Sequence, residues 1–386
     1  MSRDAPPRPI LEWLHRWIGL TVGLVFAIVS LSGSALRFQR QFWEWAHGNL
    51  TPPGMSGVVG SIDRWIENGK AAVPELGEPI AVWPPHVEHN LSDAGMLIFA
   101  GRTPGGLGNM GFAAVLVEPA TGKVLGIVDV DRSPAYAPLF LHRDLWAGEV
   151  GQIVSGIMAI GTLGLLSLGL YLWWPPRRRL VGKLTGRPWR VTFSRARPLH
   201  DWIGVWTVVA LAILVASGLL LVQPGWVEPI IDVAAGPESA EAPISAPCGT
   251  PLTFDAAIAR ASALAPSGRF KSLYPADARF ERWEIVLAPE RSVAHHDEVH
   301  VVADLRCGTV AVEGTPATRS AHEAMTMWLA DAHVGTAFGP VGPVVVSLVG
   351  LSPVVMIWSG FLMWIRRRRR VGTPETSPAR ERSAVA

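Results

Sequence analysis

Four histidines stand next to apolar segments of the chain, and they occur at regular offsets. His15 lies in "LHRWIGL" and His200 in "LHDWIGV", 185 residues later, while His142 and His333 are 191 residues apart. A neutral imidazole offers a nitrogen lone pair to a metal ion, and its ring is also amphipathic enough to anchor a helix at a membrane surface. These positions therefore predict either metal ligation or interfacial anchoring.

The neighbours of the histidines repeat with them, which favours a shared role over four separate anchors. An offset of 185 aligns Leu14, His15, Trp17, Ile18, Gly19, Ser32 and Gly33 with identical residues of a later segment, without a gap. An offset of 191 does the same for His142, Gly148, Gly151, Gly169 and Trp173. We interpret the chain as two parallel copies of one unit, a helix, an outer segment and a second helix. For the repeated glycines we favour close helix packing over making room for a flat cofactor.

The composition is that of a membrane protein. Of the 386 residues, 49% are hydrophobic and only 17% are charged, whereas soluble domains have about 25% charged residues. A bilayer-spanning helix needs about 20 apolar residues. Four segments meet that requirement: 18–36, 153–174, 202–222 and 336–365.

Basic residues predict the orientation of the four helices, because Lys and Arg concentrate on the cytoplasmic side. The segment between the second and third helices carries seven arginines and one lysine between Arg177 and Arg197, and the fourth helix ends in Arg366–Arg370. We therefore expect both termini and this segment in the cytoplasm. The two longer connections, richer in Asp and Glu, should face outward, into the periplasm of a bacterium.

The predicted fold is an all-α membrane core of four helices with two small α+β domains outside the membrane. "SIDRWIENGKAAVP" and "TFDAAIARASALAP" predict one helix in each outer segment, and "AAVLVEPATGKVLGIVDV" and "EVHVVADLRCGTVAVEG" predict strand pairs. The expected divisions are 1–37 with the first helix, 38–148 outside, 149–176 as the second helix, 177–198 as a basic loop, 199–222 as the third helix, 223–332 outside, 333–365 as the fourth helix and 366–386 as a basic tail. Cys248 and Cys307 share an outer segment, where a disulfide is permitted but not required.

Several of these motifs together resemble the PepSY-associated transmembrane family. They are "LHRWIGL", the "SG" late in the same helix, "EPATGKVLG" and "GLYLWWPPRRR", and the resemblance covers roughly residues 10–370. It implies that each outer segment is a PepSY-like domain. It also implies a role in iron acquisition at the inner membrane, where some members are haem-containing reductases of ferric siderophores. Some relatives carry a fused flavoprotein domain that this chain lacks, so the electron donor is expected to be a separate cytoplasmic flavoprotein or a membrane quinol.

With that resemblance, the histidines are interpreted as axial ligands of two haems b. His15 and His200 lie at the cytoplasmic ends of their helices and His142 and His333 at the outer ends, so ligation should pair them by membrane face. The expected function is a haem-dependent electron conduit that reduces a ferric siderophore or another ferric chelate. Lipid is the expected surrounding, and nothing in the chain requires a nucleic acid partner.

Two other functions stay open at this stage. The outer domains could bind or regulate a periplasmic partner without redox chemistry, or the repeats could form the two halves of a transporter. The first and third spans contain no charged residue, which disfavours a transport pathway. The outer clusters "HVEH" and "HHDEVH" lack the ligand pattern of a structural zinc site, and His322 is at most a reserve ligand.

Overall fold

The computed structural model describes residues 8–52, 55, 58–87, 90–101, 111–185, 196–237, 248–277, 282–290 and 294–371. Within these ranges, four helices are long and apolar enough to cross a membrane, which confirms the predicted spans. In the hydrocarbon region a helix satisfies every backbone polar group internally, so an uncharged apolar run of this length becomes helical. The helices are α1 (Arg8–Ala35), α2 (Gln39–His47), α3 (Ile62–Ala72), α4 (Ala137–Asp144), α5 (Gly148–Trp173), α6 (Arg177–Leu184), α7 (Ala196–Val222), α8 (Pro224–Ala235), α9 (Phe254–Leu264), α10 (Ala321–Val334) and α11 (Gly342–Val371).

The spanning helices α1, α5, α7 and α11 form a four-cornered bundle. Helix α1 packs against α5 and α11, and α7 packs against the same two helices. Consequently α1 and α7 occupy opposite corners, as do α5 and α11. Small residues allow close approach between α1 and α11, where Ser30 Oγ donates to the carbonyl of Gly350 and Ser34 Oγ donates to that of Ser347.

Outside the bundle, the described strands form one antiparallel sheet with contributions from both outer segments. The strands are β1 (Pro79–Trp83), β2 (Gly95–Ala100), β3 (Phe112–Val117), β4 (Val124–Asp129), β5 (Arg269–Asp277), β6 (Arg282–Ala288), β7 (Val299–Asp304) and β8 (Thr309–Gly314). Their order is β4-β3-β2-β1-β5-β6-β7-β8. The two halves join where β1 pairs with β5, opposite Val82 and Leu273. This pairing removes two exposed sheet edges, each of which would leave a row of unpaired backbone groups.

Helices α3 and α9 cover the face of the sheet that points away from the bundle, and they cap each other. Asp255 of α9 accepts from the backbone N–H of Ile62 and from Ser61 Oγ at the start of α3. Asp63 of α3 accepts from the backbone N–H groups of Phe254 and Asp255 at the start of α9. A carboxylate at a helix N-terminus satisfies backbone donors that have no partner within the helix, so the exchange fastens the two halves together.

The opposite face of the sheet connects to the bundle through two different kinds of contact. In the first half, Trp43 of α2 and Tyr136 and Phe140 around α4 pack on Met96 and Leu116 of the sheet. In the second half the contact is polar. Asp331 of α10 is buried and accepts from the ring and backbone N–H groups of His295 and His296. Both contacts hold a short helix, α4 or α10, against the end of the bundle.

A disulfide joins Cys248 to Cys307. It links the residues that precede α9 to the turn between β7 and β8, so the pairing that the sequence left open is formed in the structure. Both cysteines belong to the long connection between α7 and α11. The disulfide therefore shortens this connection by joining two residues that are 59 positions apart.

Candidate functional site

The four histidines at offsets of 185 and 191 residues form two facing pairs at opposite ends of the bundle. At the end beneath the sheet, the ring centroids of His142 and His333 are 5.8 Å apart, with an angle of 46° between the ring planes; we call these residues the sheet-side pair. At the other end, the ring centroids of His15 and His200 are 6.3 Å apart, with an angle of 88°; these residues are the far-side pair. Each pair therefore draws one residue from each half of the chain.

Both pairs span the bundle between opposite corners. His15 belongs to α1 and His200 to α7, which do not share a side of the bundle. His142 and His333 belong to α4 and α10, the short helices that lead into α5 and α11. Along α1, eighteen residues separate His15 from Gly33, which contacts His142, and at 1.5 Å per residue the two levels are about 27 Å apart. One metal centre cannot serve both pairs.

The spacing within each pair suits one metal ion between two imidazoles. Ring nitrogens bind such ions at about 2.0 Å, so two imidazoles on opposite sides of one ion have ring centroids roughly 6 Å apart. The observed 5.8 and 6.3 Å fall on either side of that distance. Within the described ranges no group of three or more His, Cys, Asp or Glu side chains is placed to hold a metal.

Backbone carbonyls orient three of the four imidazoles through Nδ1. His142 Nδ1 lies 2.7 Å from the carbonyl oxygen of Val29 and His333 Nδ1 lies 2.9 Å from that of Leu214. His200 Nδ1 lies 3.2 Å from that of Met356. A carbonyl oxygen only accepts, so each Nδ1 carries the proton and Nε2 keeps its lone pair. In the part of the chain that the structure describes, none of these Nε2 atoms makes a hydrogen bond, which leaves them available as ligands.

His15 differs from the other three. The backbone group near its ring is that of Leu165. The geometry does not reach that of a hydrogen bond, and Nδ1 of His15 is buried without a partner among the described residues. A buried polar atom without a partner is unfavourable, so His15 is the least well satisfied of the four imidazoles at Nδ1.

Glycines make the space that the imidazole rings occupy. A Cβ placed at Gly33 would lie 2.5 Å from Cε1 of His142, and one at Gly218 would lie 2.8 Å from Cε1 of His333. At Gly169 the distance to Cε1 of His15 would be 2.9 Å. The lack of a side chain at Gly33 and Gly218 thus makes room for the histidine rings. The sequence favoured close helix packing for these glycines. That suggestion holds at Gly19, where the nearest atom belongs to Leu165 of the neighbouring helix.

Burial keeps the sheet-side pair neutral. His142 and His333 lie outside the four spanning helices, and burial lowers the pKa of both rings. The pKa of His333 falls to about 4, with the nearby His142 as a second cause. Neutral imidazole is the form that binds metal, so no proton has to be displaced from Nε2 at pH 7.

His322, His300 and Arg143, the neighbour of His142, have acidic partners outside the two pairs. His322 Nδ1 lies 3.0 Å from a carboxylate oxygen of Asp232, and His300 Nδ1 lies 2.5 Å from Glu284 Oε1. Arg143, beside His142, bonds the buried Asp144. His89 of the "HVEH" motif lies outside the described residues.

Two serines that the sequence analysis did not assign contact the pairs. Ser217 Oγ lies 3.1 Å from Nδ1 of His333, and Ser359 Oγ lies 3.0 Å from Nδ1 of His200. The sequence does carry a weak signal for these serines, because each one immediately precedes a glycine that lies next to an imidazole ring. Gly218 lies next to His333 and Gly360 next to His200. The sequence gives no signal for the accepting carbonyls, because every residue has a backbone carbonyl.

Comparison with known proteins identifies the family of the chain. No curated protein matches the chain. A family model described as the PepSY-associated TM region matches residues 12–367. This range includes most of α1 and α11, all of α5 and α7, the sheet and both histidine pairs. The chain therefore belongs to the PepSY-associated transmembrane family.

Proposed function

We propose that this protein is a transmembrane electron conduit with two haems b, one held by the far-side pair and one by the sheet-side pair. The observation that carries the proposal is the presence of two facing imidazole pairs at opposite ends of one bundle, with ring centroids 6.3 and 5.8 Å apart. Haem iron held by two imidazoles supplies reversible one-electron transfer. Two such sites at the two membrane surfaces are what transfer across a bilayer requires.

The chain's own residues would perform three tasks at each site. Nε2 of each histidine would bind the iron. In His142, His200 and His333 a backbone carbonyl holds the proton on Nδ1, so that the protonated nitrogen stays turned away from the metal. The glycines let the imidazoles approach the helix backbones. The surrounding helices exclude water, and a buried, poorly solvated site gives the protein control over the reduction potential.

The proposed substrate is a ferric chelate, such as a ferric siderophore, reduced on the sheet side. The resemblance of the sequence motifs to members with a role in iron acquisition motivates this assignment, together with the packing of α4, which carries His142, against the sheet. The basic residues of α6 and the end of α11 support a cytoplasmic location of the far side and of both termini. The proposed location is the bacterial inner membrane, with a separate flavoprotein or membrane quinol as the donor.

Visible absorption of the purified protein tests the proposal. Protein from cells supplied with iron and haem should contain about two haems per chain and give a dithionite-reduced spectrum typical of haem b. In vesicles, a reductant on the far side should reduce a ferric chelate on the sheet side. A colourless, folded preparation would overturn the proposal and favour a non-redox protein whose sheet binds or regulates a partner.

A further inference from the structure

The histidines of the two halves of the chain differ in the hydrogen-bond acceptors that surround Nδ1. In the second half, Nδ1 of His333 faces two acceptors, the Leu214 carbonyl at 2.9 Å and Ser217 Oγ at 3.1 Å. Nδ1 of His200 likewise faces the Met356 carbonyl at 3.2 Å and Ser359 Oγ at 3.0 Å. One Nδ1–H is therefore shared between a carbonyl and a hydroxyl in both pairs.

The direction of the serine hydrogen bonds follows from their own helices. Ser217 Oγ lies 2.7 Å from the carbonyl oxygen of Ile213, and Ser359 Oγ lies 3.0 Å from that of Met356. A carbonyl cannot donate, so each hydroxyl gives its hydrogen to the helix and presents a lone pair to the imidazole. Both serines are fully buried, and water does not compete for these bonds.

The first half lacks this second acceptor. Ser32, 185 residues before Ser217, donates to the Val29 carbonyl at 2.7 Å; among the described residues it makes no hydrogen bond to His142. The position 191 residues before Ser359 is Leu168, which has no polar group to offer His15. Each pair thus combines one imidazole that has a hydroxyl acceptor with one that has none.

We infer that Ser217 and Ser359 are positioning residues that make His333 and His200 the stronger electron donors of their pairs. The inference rests on the proposed haem function. A hydrogen bond accepted from Nδ1–H raises the electron density at Nε2 and stabilises the more positive, oxidised metal. Each serine should therefore lower the reduction potential of its own haem and leave the other haem unchanged.

Alanine variants of the full chain give the measurement, with spectroscopic redox titration of each haem as the readout. Loss of one such hydrogen bond should favour reduction on the order of fivefold, which is about 40 mV upward for a one-electron couple. Ser359→Ala should shift the haem that is absent from His200→Ala, and Ser217→Ala the haem that is absent from His333→Ala. Electron paramagnetic resonance of the oxidised protein should change for the same haem.

Ser32→Ala is the matched control, since Ser32 shares the Val29 carbonyl with His142 as Ser359 shares the Met356 carbonyl with His200, but accepts no hydrogen bond from an imidazole among the described residues. It should leave both potentials unchanged, and Ser217→Thr, which keeps a hydroxyl, should restore the original value. Unchanged potentials in both serine variants, or an equal shift in Ser32→Ala, would overturn the inference while two bound haems still supported the proposed function. A wild-type protein without haem would instead overturn the proposed function, and this inference with it.

Discussion

Replacing Gly33 by alanine should disable the sheet-side site and spare the far-side site. The new Cβ would lie 2.5 Å from Cε1 and 2.7 Å from Nδ1 of His142. Nonbonded carbon atoms pack best at about 3.5–4.0 Å, so the imidazole must retreat from α1 by about 1 Å. Overpacking of this kind costs about 1–3 kcal/mol of folding free energy.

The same movement weakens the bond that orients the ring. The carbonyl oxygen of Val29, 2.7 Å from Nδ1 of His142, belongs to α1 as well. A ring that moves away from α1 by about 1 Å takes this distance to about 3.7 Å, beyond the range of a hydrogen bond. Loss of such a supporting contact typically lowers metal affinity about 10–100-fold. We expect Gly33→Ala to retain one haem instead of two.

Gly19→Ala provides the control in the same helix. Its Cβ would meet only Leu165, at 3.8 Å, an ordinary contact, and alanine is the better helix former by roughly 1 kcal/mol. Haem content and reduced spectra of the two variants, with thermal unfolding to verify that both fold, form the assay. If Gly33→Ala binds two haems with the wild-type spectrum, the assigned contact between α1 and His142 is wrong.

Three further predictions follow from the architecture. Alanine at either residue of the far-side pair should remove one haem, and alanine at either residue of the sheet-side pair should remove the other; loss of the same spectral component from one variant of each pair would contradict the pairing. Reporter fusions should place Gly182 in the cytoplasm and Ala120 and Cys307 outside, and an exposed Gly182 would reverse the orientation. Reduction of the disulfide between Cys248 and Cys307 should lower the stability of the outer domain by about 2–4 kcal/mol, seen as a lower thermal midpoint; an unchanged midpoint would show that the disulfide constrains little.

The contact between α10 and the turn that precedes β7 allows a separate test of what stabilises the sheet-side pair. Asp331→Asn keeps the size of the side chain but removes the charge that accepts from His295 and His296. Hydrogen bonds to a buried charged group contribute about 1.5–3 kcal/mol each. The variant should unfold at a lower temperature and lose the sheet-side haem more readily than the far-side haem. Equal loss of both haems would show that α10 is held by other contacts.

Within the sequence, the membrane core was the most predictable part. An apolar run without charges has few alternatives in a bilayer, so the four spans follow from length and composition alone. The helices and hairpins of the outer segments also follow from local signals, such as the turn at Thr121 and Gly122 and the caps of α3 and α9. The joining of both outer segments into one sheet does not, because β1 and β5 meet through edges almost two hundred residues apart.

The residue types of the candidate site could be predicted from the sequence, since matching neighbours at offsets of 185 and 191 residues distinguish four of the eleven histidines in the chain. Their geometry could not. Which rings face each other at about 6 Å, which carbonyl holds Nδ1 and why Gly33 must lack a side chain all depend on how α1, α5, α7 and α11 pack. The serine acceptors illustrate the limit best. Ser32 and Ser217 are equivalent in sequence, yet among the described residues only Ser217 bonds an imidazole, because the packing of α1 against α4 and of α7 against α10 sets the distance from each serine to the ring.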